Sequence, residues 1–281
     1  MQRKPSASAK NKLVSGSLIS SAGIAEEYAK GTEALIRRMA LEVKKELEAM
    51  FNHPGYALDA VENGNPASRA RILINQILQK YKPVFGKWAK QATDRMISRA
   101  LKHSERSLEM SLKEISKDFA LSPDLMSERL KEVVTASTNE AAQLIKTIPE
   151  QYLSEVQGAV MRSITSGTGL KTLVPFLNEK YGQNIRKARN VALDQTRKAF
   201  NNINATRLQS AGVKKFEWRH SAGGKHPRKL HQELSGKIFS FDDPPYIGDM
   251  YGSAVHGLPG TLPNCRCFMK IVLSFTEEEN G

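Results

Sequence analysis

Apolar residues recur every three to four positions through most of the first 165 residues, with charged residues between them. This spacing is typical of amphipathic helices that bury one face. The pattern predicts helices over 23–51, 67–81, 83–118 and 150–164, and another that starts at Ser122 and is interrupted at Pro149. We interpret the apolar stripes as core faces, and they contain no recognisable cofactor motif.

The hydrophobic pattern changes after residue 165. Helices are predicted over 169–181 and, in a strongly basic stretch, over 185–211. Apolar and polar residues then alternate, which is typical of strands with one buried face. The predicted strands cover 213–219, 237–241 and 267–275, and a loop rich in Gly and Pro covers 242–264.

These patterns predict an α+β fold with a mostly α-helical N-terminal domain and a small C-terminal α+β module. Sheet is expected only after residue 210. The segments are a flexible basic tail (1–20), a helical domain (21–165), the α+β module (166–276) and an acidic tail (277–281). Neither a long apolar run nor a signal peptide is recognisable, so no membrane partner is expected.

The charge balance favours a polyanionic partner. The chain has 42 Lys and Arg against 29 Asp and Glu, a net charge of +13, and the excess is concentrated in residues 183–237. Such a stretch can contact DNA phosphates without reading sequence, can meet an acidic protein surface, or can simply be solvated. The residues expected to contact double-stranded DNA are Arg186, Lys187, Arg189, Arg197, Lys198, Lys214 and Lys215.

A series of short motifs follows one another through the α+β module. After a helical segment that runs from Ala188-Arg189-Asn190 to Asp194-Gln195-Thr196 come a strand with Trp218, Arg228-x-x-His231 and Gly236, and finally Pro263-x-Cys265-Arg266-Cys267. Each motif is weak by itself. Their order and spacing over about 120 residues resemble the Mu F-like minor head protein (head morphogenesis) family of tailed phages.

The resemblance implies a virion protein of low copy number near the portal vertex of the phage head, present in the host cytoplasm during assembly. Its implied partners are portal and capsid proteins, and its implied role concerns packaged DNA and its ejection rather than catalysis. A nucleic-acid-cleaving or DNA-binding effector built on the same module is the alternative function.

Histidine and cysteine side chains cluster near the C-terminal end, and three interpretations remain open for them. Cys265 and Cys267 with His231 and His256 would suit a structural zinc ion, which prefers thiolate and imidazole ligands. Without a metal, the cysteines would be small buried side chains, His231 would bond the loop, and Arg266 would pair with Asp242 or Asp243.

The third interpretation is catalytic. His220 and His231 could carry protons in RNA cleavage while Arg228 binds the phosphate. The resemblance weakens this interpretation, because the family often has an acidic residue shortly before its Arg-x-x-His motif and residues 220–226 contain none.

Overall fold

The structure is a computed structural model that describes residues 12–53, 65–115, 127–224 and 226–274. Their contacts form two compact units. The first unit comprises the described residues of Met1–Ala22, Ile97–Ser137 and Asp194–Gly281, and the second comprises those of Gly23–Met96 and Thr138–Leu193. Each unit is therefore built from separate segments of the chain. The sequential domain boundaries at 20, 165 and 276 remain a prediction.

Helices account for most of the described residues. They are α1 (Ala22–Asn52), α2 (Pro66–Lys113), α3 (Glu128–Lys146), α4 (Ile148–Thr165), α5 (Leu170–Ser210) and the short α6 (Lys229–Glu233). None of the described helices is long and apolar enough to cross a membrane. Several boundaries lie close to the predicted ones. The predicted start at Ser122 and the acidic tail lie outside the described residues.

Two predicted helix breaks are wrong. α2 continues through Pro83, and α5 continues through Pro175 and across residues 182–184. A proline removes one hydrogen bond from a helix, but packing on both sides can hold the axis together. Around Pro83 that packing comes from Tyr81 and Phe85, both of which are fully buried.

Helices joined by short turns make up the second unit over its described residues. The buried side chains of α1 repeat at helical spacing and include Ile36, Met39, Val43 and Leu47. α2 and α4 contribute similar stripes, as predicted. A buried hydrogen bond also joins α1 to α3: the Tyr28 hydroxyl donates to the carbonyl oxygen of Ala141 at 3.1 Å.

The first unit contains a four-stranded antiparallel sheet. Its strands are β1 (Lys12–Leu18), β2 (Lys215–Arg219), β3 (Ile238–Ser240) and β6 (Phe268–Ser274), in the order β1-β6-β2-β3. The predicted strands after residue 210 are confirmed for these three segments. Residue 275, the predicted end of the last strand, lies outside the described residues.

Strand β1 contradicts two predictions, that residues 1–20 are a flexible tail and that sheet appears only after residue 210. Residues 12–18 pair with β6, and Leu18 is fully buried in the core. The segment pairs with a strand about 250 residues away, so local sequence gives little sign that it forms a strand. Residues 1–11 lie outside the described residues.

The predicted loop over 242–264 also contains structure. Strands β4 (Tyr246–Met250) and β5 (Ser253–His256) form a separate antiparallel hairpin with a register shift between Tyr246 and Gly248. The irregular register and the flanking Pro and Gly residues obscure the period of two on which strand prediction depends.

The core of the first unit lies under the sheet. Trp218, Phe216 and Met269 point into it and are fully buried, and Phe200 of α5 packs in the same cluster. Cys265 and Cys267 belong to this cluster as well. The fold is therefore α+β, as predicted, and it places the cysteines in a closed apolar interior.

Candidate metal centre

His231 lies on α6, the one-turn helix between β2 and β3. Only 2% of its surface is exposed. Its Nε2 lies 2.9 Å from the carbonyl oxygen of Ile247 on β4, and its ring packs edge-on against Trp218 with centroids 5.3 Å apart. A carbonyl can only accept, so Nε2 carries a proton and donates, and Nδ1 is left facing the cysteines. The prediction that His231 bonds the 242–264 segment agrees with this contact.

Cys265 and Cys267 lie just before β6, and both are buried free thiols. The Sγ of Cys265 is 3.4 Å from Nδ1 of His231, and the Sγ of Cys267 is 3.6 Å from the same nitrogen. The three ligand atoms all lie within 4.8 Å of one another. We call these three residues the His/Cys cluster.

The predicted fourth ligand, His256, does not join the cluster. It lies on β5 with an exposed side chain, and its Nδ1 is 3.1 Å from the carbonyl oxygen of Pro244. The His256 ring also lies against Tyr246. Proximity in sequence therefore misled the prediction, because the register of the hairpin determines where this side chain points.

The cluster favours one ionised thiol. The hydrogen bond from Cys267 lowers the pKa of Cys265 well below that of a free thiol, with help from His231 and against the effect of burial. The pKa of Cys267 is raised because it donates to Cys265 and is buried. Burial lowers the pKa of His231, but its bonds to Cys265 and to the Ile247 carbonyl outweigh burial and raise it.

This donor set fits a soft divalent cation. Two thiols and one imidazole are the ligands that zinc prefers, and here they converge in a water-poor interior. The backbone N–H of Gly260 already donates to the Sγ of Cys265 at 3.4 Å. The buried indole N–H of Trp218 has no hydrogen-bond acceptor among the residues that the structure describes. An ionised Cys267 would supply that acceptor, because a hydrogen bond from Trp218 lowers the pKa of the Cys267 thiol.

The motif residues from Trp218 onward, which carry part of the family resemblance, meet one another around this cluster. Arg228 donates to the carbonyl of Pro263 at 2.8 Å, and the N–H of Gly236, which has φ +84°, donates to the carbonyl of Trp218 at 2.8 Å. Arg266 donates to the carbonyl of Gly223 instead of pairing with Asp242 or Asp243, as we had expected. The motif is thus a set of contacts that fixes loops around the cluster.

Two further residues in this region were not predicted. Asp194 accepts the N–H of Asn264 at 2.9 Å, and Asn201 donates to the carbonyl of Pro259 at 2.6 Å. Both come from α5 and hold the segment that leads into Cys265. Burial raises the pKa of Asp194, while the Asn264 N–H and Arg197 act against it. The sequence signal for this role was that Asp194 lies in the helical segment 188–196, which carries part of the family resemblance.

The geometry gives no support to the catalytic interpretation. Both ring nitrogens of His231 face protein atoms, and the ring is closed off from solvent. Nδ1 of His220 accepts the N–H of Ala222, and Arg228 is engaged with Pro263. A general base must reach the proton it removes, and His231 has no path to a large phosphodiester substrate.

The residues predicted to bind DNA are not equally available. Arg189 forms a two-pronged ion pair with Glu33, with Nε 2.5 Å from Oε1, and Lys187 bonds Gln151. Arg197 is mostly covered and lies 3.8 Å from Asp194.

The other predicted cations differ in exposure and in the unit to which they belong. Arg186, Lys214 and Lys215 have exposed side chains, and Lys198 is half-buried. Arg186, Lys187 and Arg189 belong to the second unit, whereas the remaining four belong to the first.

Comparison with known proteins agrees with the motif analysis. Residues 154–270 match the family model described as Phage Mu protein F like protein. A Haemophilus influenzae protein described as uncharacterized is 33% identical over 152 residues, which are 54% of this chain and 32% of that protein. The chain thus spans about a third of the length of the curated relative it matches. No solved structure matches it. The C-terminal region of the chain, residues 154–270, is therefore similar to the family described as Phage Mu protein F like protein.

Proposed function

We propose that this protein is a minor component of a phage head that acts in head morphogenesis as a structural protein. The observation that carries the proposal is the family match over residues 154–270, whose motif residues converge on one buried cluster. A module whose motif residues make internal structural contacts suits a structural subunit of an assembly. Its buried His231 does not suit chemistry on an external substrate.

The location we propose is the portal vertex, with portal and capsid proteins as partners and the host cytoplasm as the site of assembly. Contact with packaged DNA during assembly or ejection is part of the proposal. Its support is the net charge of +13 and the exposed cations Arg186, Lys214 and Lys215. Such contact would be sequence-independent, because phosphate contacts carry no base information.

We also propose zinc as a structural cofactor of the α+β module. His231, Cys265 and Cys267 would hold it, and the ion would join α6 to the segment before β6. The bound metal would supply folding free energy to a module with a long irregular loop. Gly260 and Trp218 would then orient and stabilise the thiolates by N–H donation, as outer hydrogen bonds do around metal ligands.

The proposal is tested in the phage or prophage that encodes the chain. The gene is deleted and complemented with the wild type, with Trp218→Ala, or with Met110→Ala as a control at an exposed position. We expect deletion and Trp218→Ala to reduce infectious particles at least about tenfold, because Trp218 fills the core that holds the cluster. The control should behave as the wild type.

Particle composition provides the second measurement. Quantitative mass spectrometry of purified particles should find the chain at a few copies for every several hundred copies of the major capsid protein. Particles that lack the chain, together with an unchanged yield after deletion, would show that it is not a head protein.

A further inference from the structure

The tip of the β4–β5 hairpin presents an aromatic side chain that the fold does not use. The two-residue turn between the strands consists of Tyr251 and Gly252, with φ +54° and +80°. Tyr251 is 97% exposed. A turn with positive φ at both central residues favours Asn, Asp or Gly at the first of them, because a bulky side chain there strains the backbone.

Neither packing nor backbone preference therefore explains a tyrosine at position 251. Strained residues that the surrounding structure enforces are concentrated at functional sites. Exposed tyrosine is also one of the side chains that most often anchors a protein interface, since its ring brings a large contact area with few rotatable bonds.

The base of the hairpin is held firmly, so the tip is presented in a defined position. Ile247 is fully buried, and its carbonyl contacts His231. The N–H of Gly257 donates to the carbonyl of Pro245 at 3.1 Å, and the Tyr246 hydroxyl lies 3.0 Å from Oδ1 of Asp249. A preorganised element loses less conformational freedom on binding, which favours affinity.

The charge of the stretch that contains the hairpin differs from that of the basic part of the chain. Residues 238–265 contain no Lys or Arg, but they contain Asp242, Asp243 and Asp249. All three carboxylates are exposed. This stretch therefore carries a charge of −3, and Asp249 lies on the hairpin itself, two residues before Tyr251. Such a surface repels a phosphate backbone and is complementary to a cationic protein surface.

We propose that the β4–β5 hairpin is a docking element whose Tyr251 enters an apolar pocket with a cationic rim on a different structural subunit of the particle. This inference rests on the proposed function, because it names a partner class within the head. It assigns protein contact to the hairpin, whereas DNA contact is assigned to the basic residues.

The test places a photo-crosslinking phenylalanine analogue at residue 251 in phage-producing cells, with the same analogue at the exposed position 110 of α2 as the control. Particles are purified and irradiated, and adducts are identified by mass spectrometry. We expect position 251 to crosslink one other virion protein, and position 110 to give no adduct with that protein. Adducts with DNA or with a second copy of this chain would overturn the inference.

A second variant distinguishes docking from folding. Tyr251→Asn suits the turn, so the thermal stability of the purified chain should stay the same or rise. Its incorporation into particles should fall at least about tenfold, as expected when a central aromatic anchor is lost. Normal incorporation of Tyr251→Asn, or wild-type chain in particles without an adduct at 251, would refute the hairpin inference and leave the head function standing. Absence of the wild-type chain from particles would refute both.

Discussion

The hydroxyl oxygen of Ser15 accepts the backbone N–H of Ile271 at 2.9 Å, across 256 positions of sequence. Ser15 lies where the β1–β6 register shifts between Val14 and Ser17, so its side chain supplies a bond that the irregular ladder lacks. It is buried, and Ile271 is fully buried. The N-terminal strand is thereby joined to the central part of the sheet by a side chain as well as by backbone pairing.

Replacing Ser15 with Ala should lower the free energy of unfolding by about 1–3 kcal/mol, because the buried N–H of Ile271 loses its acceptor. Ser17→Ala is the matched control, since Ser17 lies on the same strand with an exposed side chain. Urea denaturation followed by circular dichroism measures both. Equal stability of the two variants would show that the bond contributes nothing.

The second prediction concerns two helical glycines. Replacing a helical glycine with alanine ordinarily stabilises a helix, but we expect the two replacements to change the stability of this protein in opposite directions. A Cβ at Gly31 of α1 would lie 2.0 Å from Cζ2 of Trp88, whereas a Cβ at Gly86 of α2 would meet no atom within 4 Å. Gly31→Ala should therefore destabilise the protein by about 1–3 kcal/mol through overpacking. Gly86→Ala should stabilise it by about 0.5–1 kcal/mol. A stabilising Gly31→Ala in thermal unfolding would mean that Trp88 can move aside.

The third prediction concerns zinc. Protein purified without chelator should contain about one zinc per chain, and Cys265→Ala and His231→Ala should remove most of it. His256→Ala should retain the metal, because that side chain points away from the cluster. A content below about 0.2 zinc per wild-type chain would leave the cluster as a hydrogen-bonded contact without metal, since a buried site of two thiolates and one imidazole that uses zinc to fold should be filled.

The wild-type protein provides an independent readout of the same site. Removing bound zinc with a strong chelator should lower the melting temperature, because binding energy is then lost from the folded state. Adding zinc back should restore it, and adding magnesium should not, since thiolates are poor ligands for that ion.

The fourth prediction concerns DNA. The logarithm of the association constant for duplex DNA should fall linearly with the logarithm of the salt concentration. The slope should be about −0.9 for each phosphate contact. Replacing Lys214 and Lys215 with Gln should reduce the slope by up to about 1.8 for every sequence tested. The control replaces Lys113 and Lys131, which have exposed side chains paired with Glu109 and Glu128, and changes the net charge equally.

Two outcomes would contradict DNA contact by Lys214 and Lys215. One is the absence of duplex binding at low salt, and the other is an equal change of slope in the control variant. An acidic protein surface would then be the partner for these exposed lysines. Neutralising Lys187, Arg197 and Lys198 together should change the slope less than their number implies, because Lys187 and Arg197 already have protein partners.

The helices and most of the sheet could be predicted from the sequence because their signals are local. A period of 3.6 marks α1 and α4, and alternation marks β2 and β6. The breaks at Pro83 and before residue 185 were over-predicted, because local proline and glycine signals take no account of packing on both sides. Strand β1 was missed because its partner lies at the far end of the sequence.

The sequence predicted the chemistry of the candidate site and three of its residues, but it also included His256, which lies outside the site. Residue type and clustering pointed to Cys265, Cys267 and His231, and the structure brings these three together. They could not exclude His256, because the direction of a side chain in an irregular hairpin depends on register. They also gave no sign that Tyr251 would stand exposed in a turn with positive φ.

The pairing of β1 with β6 has a consequence for synthesis on the ribosome. Strand β1 leaves the ribosome before β6, because its partner at Phe268–Ser274 is made more than 240 residues later. At about 5–20 residues per second, β1 waits roughly 12–50 seconds with its apolar side chains unpaired. Nascent chains that are cut short before β6 therefore cannot complete the sheet, and their unpaired β1 edge distinguishes them from chains that contain β6.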